Sequence, residues 1–123
     1  MERVERQQLL RGRIVEYLRL LCSAEEQLEY QYNVPYVNVT VELVCIWFDD
    51  CYHPENNFFS SSFSNIELEA MANFNQAFDT IATSSLQGEE IPQIELFIST
   101  PEWTRLSRAA SIALCAFENK AKI

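Results

Sequence analysis

The chain has 123 residues, 48% hydrophobic and 12% aromatic, with 18 Asp and Glu against 9 Lys and Arg for a formal net charge of −9. That length suits one domain spanning 1–123, and this aromatic content excludes a disordered acidic tail. The charge argues against nucleic acid and membrane as partners, since phosphates and anionic lipid both ask for an excess of Lys and Arg.

The first segment predicts a long helix. Leu10, Ile14, Tyr17, Leu21, Ala24 and Leu28 are spaced alternately four and three apart, which aligns them in one stripe. Residues 1–13 hold four arginines and no apolar core of signal-peptide length. Ser23 and Glu26 fit a capping box that restarts the helix after a small break. Pro35 ends the pattern, because the residue before proline avoids helical angles.

Residues 36–48 support two readings. Val37, Val39, Val41 and Leu43 alternate with Asn38, Thr40 and Glu42, which suits a strand. Its only partner would be 94–98. Val41, Val44, Cys45 and Phe48 would equally line one face of a short buried helix. The longest apolar run, 43–48, is six residues against the roughly 20 of a membrane span, so the expectation is a soluble, cytoplasmic protein. Asn38-Val39-Thr40 fits a glycosylation acceptor and reads as chance without a secretory signal.

Residues 49–63 read as a loop holding Pro54, two adjacent asparagines and three consecutive serines. Tyr52, Phe58, Phe59 and Phe63 make it unusually aromatic. Ser64 and Glu67 then form a capping-box pattern, and Leu68, Met71, Phe74, Phe78 and Ile81 give the stripe of a helix closing near Ser84. A second loop, 86–92, contains Gly88, Glu89 and Glu90. In the last helix Thr100 caps, Pro101 suits the first position and Glu102 favours the positive end of the dipole. Trp103, Leu106, Ala110, Ala113 and Phe117 form its inward face. The fold class is therefore mainly α, a small single-domain bundle of about four helices. The alternative is α+β with a minor strand pair from 36–48 and 94–98.

The charge is unevenly distributed. Residues 1–22 and 99–123 are each net +2, whereas 23–98 contain thirteen acids and no Lys or Arg. Ordinary soluble surfaces mix both signs. A segment without cations can focus a negative potential and steer a basic partner.

The chemistry of an enzyme is sparse. His53 is the only histidine, so a nucleophilic triad would have to use it. Two glycines do not make a phosphate loop. Cys45, Cys51 and His53 lack zinc-site spacing, and Asp49, Asp50 and Glu55 lack the spacing and glycine of an EF-hand. No metal, cofactor or catalysis is expected. The four cysteines read as free thiols, with Cys22, Cys45 and Cys115 in apolar stretches and expected to be buried.

One resemblance covers roughly 42–117. It is carried by Glu42-Leu43, Trp47-Phe48-Asp49-Asp50, Phe63-Ser64, Glu67-Leu68, Phe74-Asn75 and Phe78. Pro101-Glu102-Trp103, Ala109-Ala110, Ala113-Leu114 and Phe117 complete it. In this order of motifs the chain resembles small bacterial toxin-immunity proteins of contact-dependent growth inhibition and related polymorphic toxin systems. The resemblance implies a protein without catalysis that caps a cognate toxin, often a nuclease, in the cytoplasm. An acidic face would then cover the basic surface that the nuclease uses for phosphates. The expected contacts are Asp49, Asp50, Tyr52, Glu55 and Phe58 in the first loop and Glu89 and Glu90 in the second. Trp47 and Trp103 are expected in the core. The competing readings are a helical adaptor or self-associating interaction protein, and an acidic DNA-mimic inhibitor.

Overall fold

Capping side chains decide where helices begin. Ser23 Oγ accepts from the Glu26 N–H at 3.1 Å, and Asn38 Oδ1 accepts from those of Thr40 and Val41 at 2.9 and 3.4 Å. Ser64 and Glu67 close a reciprocal capping box, and Thr100 Oγ1 accepts from the Trp103 N–H at 3.1 Å. Each cap satisfies amide donors that the first helical turn leaves open.

The computed structural model describes residues 2–86 and 91–118. Its helices are α1 (Glu2–Leu21), α2 (Ala24–Asn33), α3 (Val39–Cys45), α4 (Asn57–Ser61), α5 (Asn65–Ser85), α6 (Ile94–Phe97) and α7 (Pro101–Glu118). A π-helical segment, Ile46–Cys51, continues α3. The mainly α class holds, but among the described residues there are seven α-helices rather than about four, and no strand.

The strand pair is replaced by α3 and α6. Asn38 spends its side chain as the α3 cap and donates from Nδ2 to the Ile91 carbonyl at 3.1 Å. Val39, Leu43 and Trp47 are then buried at helical spacing, a pattern that the valine alternation conceals. Ile94 and Phe97 bury the inner side of α6. The expected loop at 49–63 contains the end of the π segment and α4, which Asn56 caps through the Phe59 N–H at 3.1 Å.

The long first helix breaks at Cys22 and Ser23, and the break resets the phase of its stripe. In α2 the buried residues are Gln27 and Gln31, while Leu28 is exposed. Both glutamines serve as internal staples. Gln27 Nε2 donates to the Leu20 carbonyl at 3.0 Å, and its Oε1 accepts from Trp103 Nε1 at 2.9 Å. Gln31 Nε2 donates to the carbonyls of Val34 and Val37 at 3.1 and 2.7 Å, and its Oε1 accepts from the Val39 N–H at 3.0 Å.

Helix α7 packs against both α5 and α1, and α2, α3 and α6 pack on one another as a second layer. Trp47 ties the two groups together. Its ring stacks between Tyr17 and Tyr52, with centroids at 5.7 and 5.0 Å, and Phe74 meets it edge-on at 4.8 Å. Its Nε1 donates to Asn75 Oδ1 at 3.0 Å, so Trp47 is the core anchor expected of it. Trp103 is half-buried. The aromatics of 49–63 extend the same network: Tyr52 meets Phe59, Phe59 meets Phe63, and Phe63 meets Phe117.

Candidate functional site

The second layer holds most of the uncompensated charge. Helix α2 carries Glu25, Glu26 and Glu29, α3 carries Glu42, the π segment carries Asp49 and Asp50, and α6 carries Glu95. None of these elements contains a Lys or Arg. Because α2, α3 and α6 contact one another, acids from distant parts of the chain share one layer.

The π segment sets the local geometry. Its wider turn closes with the Tyr52 N–H donating to the Trp47 carbonyl at 3.0 Å. Trp47 and Cys51 point inward, leaving the consecutive Asp49 and Asp50 exposed. Glu42, Cys45 and Asp49 lie at spacings of three and four, on one side of the continuing helix. Their mutual field is visible in the Cys45 thiol. Residual burial pushes its pKa up, and Asp49, Glu42 and Asp50 push it further. Tyr30 on α2 faces the same field, its phenol raised by burial and by Glu42.

The remaining expected contacts occupy different surroundings. Tyr52 is half-buried with one ring face against Trp47, and Glu55 is exposed, 3.7 Å from His53 Nδ1. Phe58 is half-buried beneath two guanidinium groups, Arg3 at 5.8 Å and Arg6 at 5.7 Å from its ring centroid. The acidic character therefore fades toward α4, where α1 brings cations. Glu89 and Glu90 lie outside the described residues.

Glu42, Tyr32 and Tyr36 lie in or beside this layer but outside the two loops expected to make contact. The two tyrosines are each 83% exposed, at the end of α2 and in the turn that follows. Tyr32 lines a groove of about 660 Å³ together with Leu28, Gln31, Pro35, Gln93 and Glu95. Their signal was the run Tyr30, Tyr32 and Tyr36 around Pro35, aromatics crowded where a helix stops.

The cysteines differ from expectation. Cys45 and Cys115 are exposed, Cys22 is half-buried and Cys51 is buried. Cys51 turns inward because it lies one helical turn after Trp47, and burial raises its thiol to about 11. Among the described residues no three His, Cys, Asp or Glu side chains are grouped to hold a metal ion. His53 Nε2 is 2.9 Å from the Asp49 carbonyl, a local contact that closes the end of the π segment. No described helix is long and apolar enough to cross a membrane.

No family model, curated protein or solved structure matches the chain.

Proposed function

We propose that the chain is a binding protein that neutralises a basic protein partner, in the manner of a toxin-immunity protein, with a nuclease as the first candidate toxin. One observation carries the reading: α2, α3, the π segment and α6 gather seven acids and no Lys or Arg into contacting elements. Such a layer attracts a basic cleft and raises its association rate by about 10–10³-fold. Glu42, Asp49, Asp50 and Glu95 supply charge. Tyr32 and Tyr36 supply the amphipathic aromatic area that dominates interface energetics.

The test is co-expression with the products of adjacent genes. Rescue of cells from one toxic product is expected, together with loss of rescue in the Glu42→Gln/Asp49→Asn/Asp50→Asn protein at unchanged helicity. Equal rescue by both proteins, or no rescue, counts against the reading. Inhibition of several unrelated DNA-binding enzymes would point to a DNA mimic instead.

A further inference from the structure

Helices α5 and α7 each carry a second stripe beside the one they bury. On α5 it runs through Ile66, Ala70, Asn73, Ala77 and Thr80, and on α7 through Arg105, Ala109, Ile112 and Ala116. The steps are threes and fours, the seam spacing of helices that pack against further helices. Two hollows of about 510 and 440 Å³ lie along the pair and share Asn73 and Ala77, so they form one continuous groove. Ile66 and Ile112 stand 69% and 68% exposed along it. A helix face meant for water is normally dressed with charges.

The charges that are present identify the occupant. Glu69 lies at one end of the groove and Arg105 at the other. The helices run antiparallel, since Ile66 shares the groove with Ala116 while Thr80 and Ile81 share it with Arg105. At 1.5 Å per residue, the level of Arg105 is about 16 Å from Glu69, too far for the two to pair within one chain. Among the described residues Arg105 meets only the Glu102 carboxylate on its own helix, at 3.4 Å, and its guanidinium has further donors for a second acid. A twofold axis through the middle of the groove exchanges its ends. It then sets Glu69 of each copy opposite Arg105 of the other.

We propose that this face joins two copies of the chain into an antiparallel four-helix arrangement, with Ile112 of each seated in the alanine-lined groove of the other. A basic partner would find one acid here and one opposing cation. A second copy finds its own complement. None of the acids on α2, α3 or α6 lines the groove, so self-association buries none of the charge behind the proposed function. The two surfaces are separate, and either can fail without the other.

Sedimentation equilibrium in reducing buffer, from about 1 μM to about 1 mM, tests the proposal. A concentration-dependent dimer is expected for the native chain. Ile112→Arg should be monomeric with unchanged helicity. Glu69→Arg should weaken the dimer at least about tenfold, and adding Arg105→Glu should restore it. A native chain that stays monomeric, or a dimer that survives Ile112→Arg, overturns the proposal. If Ile112→Arg does not fold, Ile112→Cys in a chain with Cys45→Ser and Cys115→Ser gives a second readout. The axis passes close to position 112, so a short bis-maleimide should link two copies, and absence of the linked dimer overturns the proposal equally.

Discussion

Arg11 on α1 grips Glu67 on α5 with both prongs of its guanidinium, Nη1 to Oε1 at 2.6 Å and Nη2 to Oε2 at 2.8 Å. The Glu67 side chain has no solvent exposure, and its Oε1 also accepts from the Ser64 N–H at 2.9 Å. One carboxylate thus caps α5 and ties it to α1. The Arg11 guanidinium also lies near the rings of Phe63 and Phe117, at 5.6 and 5.8 Å. Arg11→Met removes the bidentate partner of a buried carboxylate and should cost about 3 kcal/mol. Glu67→Gln in that background removes the buried charge and keeps an acceptor for Ser64, so the double variant should recover part of the loss. Urea unfolding of the four proteins gives the coupling, expected at roughly 1–3 kcal/mol, and simple additivity would refute it.

Stability should fall in alkali. Burial raises the Cys51 thiol from 9.0 to about 11, and burial holds the Tyr17 phenol well above 10.0. Both are neutral when protonated, and folding keeps them so. Their contribution is complete below about pH 9, where neither ionises in the unfolded chain, and declines as pH rises from there toward the folded values. Each group contributes a slope of about 1.4 kcal/mol per pH unit inside its window. Urea midpoints against pH should flatten between about 9 and 11 in Cys51→Ala. Tyr17→Phe should flatten the curve above pH 10, and it also loses the hydroxyl bond to the Leu43 carbonyl at 2.5 Å. Slopes parallel to the native protein in both variants would contradict the assignment.

The field over the acidic layer can be read chemically. Cys45 is exposed, yet residual burial and Asp49, Glu42 and Asp50 hold its thiol above the usual value. Only the thiolate attacks iodoacetamide, so alkylation near neutral pH should be slow and should rise with pH. Glu42→Gln and Asp49→Asn should each accelerate it, as should added salt. An alkylation rate indifferent to both substitutions would mean that the acids do not converge on Cys45.

Gln31 holds the turn that presents Tyr36 and starts α3. Replacing it with Leu leaves the Val39 amide and the Val34 and Val37 carbonyls without their side-chain partner. A loss of about 2 kcal/mol is expected. Hydrogen exchange at the Val39 amide should speed up more than at amides within α5, and uniform acceleration across the fold would argue against a local staple.

What could be read in the sequence follows the range of each interaction. Ser64 with Glu67 and Thr100 with Pro101 were legible because a cap and its amides lie within three residues. The inward stripes of α5 and α7 were legible because each helix buries one side along its length. Glu67 looked like a cap alone, since nothing local points to Arg11, 56 positions away. Gln27 carries no local signal of its burial, because its partner Trp103 is 76 positions distant. Residues 37–43 alternate like a strand, and only the cap from Asn38 and the lack of a pairing partner favour α3. For the acidic face, Asp49 and Asp50 were visible as a pair. Their convergence with Glu42 depends on α3 running unbroken into a π turn, which local propensity does not encode.

The most direct measurement is the association rate constant with the neutralised partner as a function of ionic strength, for the native chain and for Glu42→Gln/Asp49→Asn/Asp50→Asn. The native rate should fall steeply as the Debye length shrinks from about 10 Å at 0.1 M to about 3 Å at 1 M salt. The substituted protein should associate more slowly at low salt, with a flatter dependence. Identical rates and identical salt slopes for the two proteins would contradict binding through the acidic layer.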